Sequence, residues 1–167
     1  LHLLRSSAAS DVYKRQVLLY DRQRRIVAAV HAGWRGTVNR ILAKTLHRMQ
    51  SAYGTEGTDI IACIGPGISL DSFEVGDEVY EAFRTENFPM EYISVWKPET
   101  HKYHIDLWAA NRLQLSDFGV PSRQIENAGI CTYRQHEDFF SARRLGIKSG
   151  RILSGIMLNG QEKGERK

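Results

Sequence analysis

The residues of this chain best suited to chemistry form the hexapeptide His-Ala-Gly-Trp-Arg-Gly at positions 31–36. The hexapeptide follows a short apolar run, and α/β folds place active sites where strands end. His31 could serve as a metal ligand or as a general base. Gly33 and Gly36 allow close backbone approach, and Arg35 beside the first amides of a helix would suit an anion such as phosphate. The alternative is a glycine turn next to a capped histidine, and the spacing does not decide between the two.

A second stretch with chemical potential, residues 131–144, is long and irregular. It combines Cys131, the aromatic residue Phe140 and the adjacent pair Arg143 and Arg144. An aromatic ring together with a guanidinium group can stack on a base and hold an oxyanion. The same composition also fits a loop that packs on its own aromatic side chains.

Two further groups are weaker candidates. The Gly-Pro-Gly-Ile segment at 65–68 follows an apolar run and is either a second active-site loop or an ordinary turn. His101 and His104 would share one face only on a helix, whereas their surroundings predict a strand. We therefore interpret these two histidines as part of a polar edge.

The elements that would position these residues follow from hydrophobic periodicity. Apolar runs bounded by glycine or polar turns predict strands at 17–20, 26–30, 60–64, 103–106, 124–130 and 151–158. Apolar positions at helical spacing predict helices at 37–52, 75–84 and 107–118. Strands that alternate with helices indicate an α/β protein. The near-continuous apolar runs at 26–30 and 60–64 predict two buried strands that lie side by side.

Composition argues against several classes of protein. The chain has 167 residues, which fits one domain, and its net charge of +4 is spread without a basic stripe. Nucleic acid is therefore not expected as a partner. No apolar run approaches the ~20 residues of a membrane span, so no membrane association is expected. Cys63 and Cys131 are too few for a disulfide framework, and a cytoplasmic protein is predicted.

The first sixteen residues differ in character from the rest of the chain. Residues 11–16 can be encoded by the end of a transposon adapter used in sequencing libraries, and the residues before them show no periodicity. We therefore interpret residues 1–16 as a non-native segment outside the fold. Its removal is expected to leave the stability of the chain unchanged. On this interpretation the natural protein begins upstream of Val17.

Five motifs occur in one order along the chain: His-Ala-Gly-Trp-Arg-Gly-Thr at 31–37, Gly-Pro at 65–66, Phe-Glu-Val-Gly at 73–76, Cys-Thr-Tyr at 131–133 and Phe-Ser-Ala-Arg-Arg at 140–144. With them the chain resembles the YfiH family, also named the laccase-domain or polyphenol oxidase family, whose members are regarded as purine nucleoside phosphorylases. The resemblance implies a four-layer α/β/β/α sandwich with mixed sheets, incomplete here at its N-terminus. Residues 17–160 would form the C-terminal part of one catalytic domain, followed by a polar tail at 161–167.

The resemblance also implies a cofactor and substrates. Family members hold zinc with His, Cys and His, and His31 matches the last of these ligands. The first two ligands belong upstream and have no counterpart in this chain, so we expect the chain alone to bind little zinc and to be close to inactive. The implied substrates are phosphate and the nucleosides adenosine, inosine, guanosine and methylthioadenosine, with adenosine deamination at the same site. A substitute metal site formed by His104, Cys131 and His136 is an alternative.

Chemistry suggests roles for individual side chains. Cleavage of the sugar–base bond develops positive charge on the ribose and negative charge on the leaving base. Arg35 and Arg143 are therefore expected to act as catalytic anion clamps. The residues expected to contact substrate are Gly33, Trp34, Gly36 and Phe140.

Three alternative functions remain open. A copper-dependent polyphenol oxidase is disfavoured because the six histidines include no His-X-His pair and a copper site needs several converging ligands. A peptidoglycan-editing role is attached to some family members by name. A nucleoside-binding module without a metal is the non-enzymatic alternative.

Overall fold

The computed structural model describes residues 16–146 and 148–159, and these residues form two β-sheets with helices packed against them. The strands are β1 (Gln16–Asp21), β2 (Ile26–His31), β3 (Ile60–Ile64), β4 (Glu74–Val75), β5 (Ser94–Lys97), β6 (Lys102–Ile105) and β7 (Ile125–Asn127). The helices are α1 (Trp34–Val38), α2 (Ile41–Tyr53), α3 (Asp77–Thr85), α4 (Met90–Ile93), α5 (Leu107–Asp117) and α6 (Ala142–Leu145).

Strand β1 lies inside the first sheet, whose order is β2-β1-β3-β7. It pairs antiparallel with both β2 and β3, and β7 runs parallel to β3. The prediction that the strands at 26–30 and 60–64 are neighbours is therefore wrong, although both contribute buried residues to the core. The physical reason is the short turn at 22–25, which folds β2 back on one edge of β1 as a hairpin and leaves the other edge for β3.

The buried carboxylate of Asp21 fixes this hairpin turn. It accepts hydrogen bonds from the backbone amides of Gln23 at 3.0 Å and Arg24 at 2.9 Å, a turn chemistry typical of aspartate. The guanidinium of Arg24 also pairs with the carboxylate of Asp59 at 2.6 Å, which ties the turn to the start of β3. Strand β1 begins at Gln16, one residue inside the segment predicted to be non-native, and the rest of that segment lies outside the described residues.

One face of the first sheet packs on α2 and α5. The apolar residues of this first cluster include Val17, Leu19, Val30, Leu42, Leu46, Met49, Ile60, Ile64 and Leu115. The helix predicted at 37–52 is instead two helices, because Arg40 adopts a left-handed conformation with φ 53° between α1 and α2. Its guanidinium lies 4.3 Å from the ring centre of Phe88 and donates to the carbonyl of Glu86, so tertiary contacts hold the break.

The second sheet has the order β4-β6-β5 and packs with α3, α4 and α5 on a separate apolar cluster. Its buried members include Phe73, Val75, Phe83, Ile93, Ile105, Leu107 and Ala110. Helix α5 begins after Asp106, whose carboxylate accepts hydrogen bonds from the amides of Trp108 and Ala109. The predicted helices at 75–84 and 107–118 and the predicted strand at 103–106 are confirmed within two residues.

The last two predicted strands differ from the structure. The strand at 124–130 is shortened to β7, which pairs only over three residues. Residues 151–158 form no strand among the described residues, although exposed and half-buried side chains alternate along them. Alternation requires only an extended backbone, whereas a strand also requires a partner for its hydrogen bonds. No helix in the described ranges is long and apolar enough to cross a membrane.

Candidate active site

A cleft of about 160 Å³ lies where the separate sequence motifs meet. It is lined by Gly33, Trp34, Gly67, Ile68, Phe73, Leu107, Thr132, Ser141 and Arg143. The lining therefore draws on the 31–36 hexapeptide, the 65–68 loop and the 131–144 segment, which lie far apart in sequence. This convergence makes the cleft the candidate active site.

His31 is the last residue of β2, and two glycines shape its surroundings. A Cβ atom on Gly33 would lie 3.0 Å from Nε2 of His31, so the glycine leaves space for the imidazole ring. A Cβ atom on Gly36 would lie 2.9 Å from the carbonyl oxygen of His31 and 3.2 Å from Cγ2 of Ile41. Gly36, predicted to contact substrate, thus lets α1 pack on the end of β2 and is not part of the cleft lining.

A buried polar network holds the turn that carries the hexapeptide. The hydroxyl of Thr37 donates to the carbonyl of Ala32 at 3.1 Å, and its amide donates to the carbonyl of Gly33 at 2.8 Å. Asn111 of α5 donates to the Thr37 hydroxyl at 3.2 Å, and Gln114 donates to the Thr37 carbonyl at 3.3 Å. Helix α5 therefore fixes the hexapeptide turn, a role that no local sequence pattern indicated.

Trp34 and Arg35 both lie at the start of α1, but only Trp34 lines the cleft. Trp34, which was predicted to contact substrate, lines the cleft. The guanidinium of Arg35 lies 4.5 Å from the centre of the Trp34 ring, and Arg35 is exposed. Arg35 is not among the lining residues, so its guanidinium lies over the tryptophan ring and does not line the cleft.

Arg143 is the arginine of the predicted pair that reaches the cleft. Its guanidinium lies 5.5 Å from the centre of the Phe73 ring and donates to the carbonyl of Glu74 at 3.0 Å. Arg144 instead lies over the ring of Tyr133, 5.3 Å from its centre. The structure thus distinguishes the two arginines, which the sequence could not do.

Phe140 does not lie in the cleft. Its side chain is 50% exposed, and a Cβ atom on Gly150 would lie 2.6 Å from its Cζ atom, so the ring rests on the 149–151 backbone. The apolar wall of the cleft comes instead from Ile68, Phe73 and Leu107. Ile68 and Phe73 lie within the sequence motifs but no role was predicted for them, and Leu107 was not predicted as a site residue.

The 65–72 and 130–132 loops are joined beside the cleft. The amide of Gly67 donates to the carbonyl of Ile130, and the amide of Thr132 donates to the carbonyl of Gly67, both at 3.0 Å. The Cys131 sulfur accepts hydrogen bonds from the hydroxyl of Ser69 at 3.1 Å and from its amide at 3.4 Å. Burial opposes ionisation of this thiol, but the hydrogen bonds outweigh burial and lower the pKa of Cys131 to about 7.

The described residues contain no group of three or more His, Cys, Asp or Glu side chains that could hold a metal ion. His104, one member of the alternative metal site, lies with Nδ1 2.9 Å from the carbonyl oxygen of Leu70 and with Nε2 3.9 Å from a carboxylate oxygen of Glu74. Cys131 is held by serines. The residues in the described part of this chain therefore do not fit a three-ligand zinc site by themselves.

Comparison with curated proteins identifies relatives over most of the chain. A purine nucleoside phosphorylase from Bacteroides thetaiotaomicron is 64% identical over 143 residues, which cover 86% of this chain and 53% of the relative. Adenosine deaminase RL5, from an unknown prokaryotic organism, is 50% identical over 140 residues, which cover 84% of this chain and 53% of that relative. Purine nucleoside phosphorylase YfiH from Escherichia coli is 37% identical and is covered to 55%. The chain thus spans about half the length of the curated relatives it matches.

Solved structures agree with the sequence relatives. The Bacillus licheniformis hypothetical protein YfiH superposes with a TM-score of 0.73 at 32% identity, over 80% of this chain and 51% of that protein. YlmD from Geobacillus stearothermophilus gives a TM-score of 0.72 at 31% identity, over 79% of this chain and 49% of that protein. These similarities confirm the predicted α/β fold of the YfiH type. Because the family model described as multi-copper polyphenol oxidoreductase laccase also matches residues 15–159, the chain belongs to this family, whose relatives include YfiH and YlmD.

Proposed function

We propose that the protein to which this chain belongs is a zinc-dependent purine nucleoside phosphorylase that also deaminates adenosine. The observation that carries the proposal is the single cleft in which the hexapeptide turn, an apolar wall and Arg143 converge. The names of the relatives that are 64% and 50% identical support the two activities. The whole activity is proposed for the longer protein, since this chain covers about half of its relatives.

The cleft supplies complementary surfaces for the two substrates. The side chains of Trp34, Phe73 and Leu107 offer apolar area on which a purine base can pack. Arg143 offers a guanidinium group with N–H donors that the Glu74 carbonyl does not use. In phosphorolysis a phosphate oxygen forms a bond to C1′ of the ribose as the bond from C1′ to the base breaks. Arg143 would hold the negative charge of the phosphate near the ribose while that exchange takes place.

We propose that His31 is one ligand of the zinc ion and that the remaining ligands come from outside the described part of this chain. A catalytic zinc typically has three protein ligands, and when bound it supplies a Lewis acid and an activated water. The residues described here do not complete such a site. A side chain at position 33 would come within 3.0 Å of Nε2 of His31, so a glycine there keeps that side of the ring unobstructed, which a ligand role for this nitrogen requires.

The proposal is tested on two proteins: the 167-residue chain and the product of the same gene with its natural upstream coding segment. We measure zinc content and inosine phosphorolysis for both. The longer protein is expected to hold one zinc per chain and to release hypoxanthine, whereas the shorter one is expected to do neither. His31→Ala in the longer protein should weaken zinc binding by more than the roughly 10–100-fold typical of losing a supporting residue.

Two results would contradict different parts of the proposal. Stoichiometric zinc in the 167-residue chain would show that His31 has enough partners within it. Absence of turnover by the zinc-loaded longer protein, on every purine nucleoside, would refute the assigned activity.

The wording of the family description favours a second candidate, a copper-dependent polyphenol oxidase. The described residues offer no cluster of histidines for copper, so we place it second. Copper-loaded longer protein is therefore expected not to oxidise a phenol in air. Phenol oxidation at rates above those of nucleoside phosphorolysis would reverse this order.

A further inference from the structure

We infer that the hydroxyl groups of Thr132 and Ser141, together with the Arg143 guanidinium, form the subsite that binds inorganic phosphate. The inference rests on the function proposed above and adds two residues to it. It also separates the cleft into a phosphate end, at Thr132, Ser141 and Arg143, and an apolar end for the nucleoside.

Thr132 and Ser141 bring two hydroxyl groups to the lining of the cleft. Thr132 and Ser141 line the cleft but are only 2% and 1% exposed. Neither hydroxyl forms a hydrogen bond with another described residue. Neither hydroxyl oxygen is fully enclosed by protein atoms either, because the buried oxygens and nitrogens without a partner do not include them. The small exposed area of each residue therefore includes its hydroxyl oxygen, and the cleft is the surface that both residues line. Two nearly buried hydroxyls that face a cleft are donors for a ligand.

Arg143 brings a positive charge to the lining of the cleft. Among the described residues no carboxylate pairs with Arg143, whose guanidinium lies over the Phe73 ring and donates to the Glu74 carbonyl. The carboxylate of Glu74 is already used, because it accepts a hydrogen bond from Lys102 at 3.0 Å. That hydrogen bond also lowers the pKa of Glu74. Arg143 thus brings an uncompensated positive charge to the cleft, and an anion is the ligand that would neutralise it.

Hydrogen bonds hold the backbone that carries the two hydroxyl groups. The amide of Thr132 is fixed to the carbonyl of Gly67, and the carbonyl of Ser141 accepts from the amides of Arg144 at 3.1 Å and Leu145 at 2.6 Å. Both hydroxyls therefore stand on backbone that is already held in place. A planar guanidinium with two fixed hydroxyls suits a tetrahedral oxyanion, because such donors need little reorganisation when the anion binds.

The kinetic test uses the longer, zinc-loaded protein and compares two reactions of one nucleoside site. Phosphorolysis consumes phosphate, whereas deamination of adenosine consumes water and releases ammonia. Thr132→Val and Ser141→Ala each remove one hydroxyl at little change in volume, and Arg143→Gln removes the charge. Each variant should raise KM for phosphate roughly tenfold or more, the factor expected for a hydrogen bond to a charged group. For the two hydroxyl variants, the rise in KM for phosphate should exceed any change in KM for inosine or in the rate of adenosine deamination, because only phosphorolysis uses the phosphate contact.

Arg144→Gln is the matched charge control, since Arg144 lies over Tyr133 and not in the cleft. It should leave KM for phosphate unchanged. An unchanged KM for phosphate in the hydroxyl variants would overturn the inference, as would an equal loss of both reactions. If the hydroxyl variants weaken inhibition by AMP but leave KM for phosphate unchanged, the subsite binds a nucleotide phosphate and the inference is wrong.

A binding measurement keeps the inference testable apart from any enzymatic activity. Inorganic phosphate is titrated into the 167-residue chain, and backbone amide shifts are followed by NMR. Shifts are expected at Thr132, Ser141 and Arg143 and should be lost in the Ser141→Ala variant. Saturating phosphate without shifts at these residues would refute the subsite even if the longer protein is a phosphorylase. Shifts here, with no turnover in the longer protein, would support the subsite and refute the proposed function alone.

Discussion

At the scale of single residues, Gly36 has the tightest fit in the hexapeptide. A Cβ atom there would lie 2.9 Å from the carbonyl oxygen of His31, a backbone atom that cannot give way as the end of a flexible side chain could. Gly36→Ala should therefore lower the free energy of unfolding by about 1–3 kcal/mol, as overpacking does elsewhere. Urea denaturation measures the change. Gly155→Ala is the control because a Cβ atom at Gly155 meets no atom within 4 Å, and equal losses in both variants would contradict the explanation.

Cys131 gives a prediction about pH. Its folded-state pKa of about 7 lies below the ordinary thiol value of 9.0, so the fold favours the thiolate. A lowered acid pKa adds stability that is complete above the ordinary value and is lost as the pH falls through the folded value. The difference in free energy of unfolding between wild type and Cys131→Ala should therefore grow from about pH 7 to about pH 9.

Urea denaturation across that range measures the effect, with Cys63→Ala as the control. Burial and the charge of Glu126 raise the pKa of the Cys63 thiol, so its difference from wild type should not grow with pH. A Cys131→Ala difference that is constant with pH would show that the serine hydrogen bonds do not favour the thiolate.

At the scale of elements, the contact between α1 and α5 depends on Thr37. Replacing Thr37 with Val keeps the shape but leaves the Ala32 carbonyl and the Asn111 amide without this partner. Because both groups are buried, we expect a loss of about 1–3 kcal/mol in the free energy of unfolding. Thr45→Val is the matched control, since the Thr45 hydroxyl only donates to the Ile41 carbonyl one turn earlier in α2.

A double-mutant cycle separates this network from general packing. The losses in Thr37→Val and Asn111→Leu should not add, because the two side chains share one hydrogen bond. Strict additivity, or a loss in Thr45→Val as large as that in Thr37→Val, would remove the special role of the network.

The elements also show which sequence signals were sufficient. Apolar positions at helical spacing predicted the start of α5 at Leu107, where the Asp106 carboxylate caps the helix through amides two and three residues further on. The break at Arg40 was not predicted, because contacts with Phe88 and Glu86 hold it and a periodic apolar pattern continues across it. An element that depends on neighbouring residues can thus be predicted from the sequence, whereas a backbone conformation that depends on distant residues cannot.

At the scale of the whole molecule, the sequence predicted the α/β fold class, and the comparisons confirm it. The order of the strands in the first sheet was not predicted, because a continuous apolar sequence indicates that a strand is buried but not which strands it pairs with. Of the predicted site residues, the structure brings Gly33, Trp34 and Arg143 into the lining of one cleft and leaves His31, Arg35, Gly36 and Phe140 outside that lining. For Arg35 and Phe140 the direction of the side chain decided the outcome, and it depends on contacts such as that of Arg35 with the Trp34 ring.

Helix α5 has a consequence for how the chain unfolds. Leu115 belongs to the first apolar cluster, whereas Leu107 and Ala110, on the preceding turns of the same helix, belong to the second. Because α5 contributes residues to both clusters, unwinding this helix would disrupt both clusters together. The two sheets should therefore melt in one cooperative transition, and the amide protons of α5 should exchange with solvent only through that global opening.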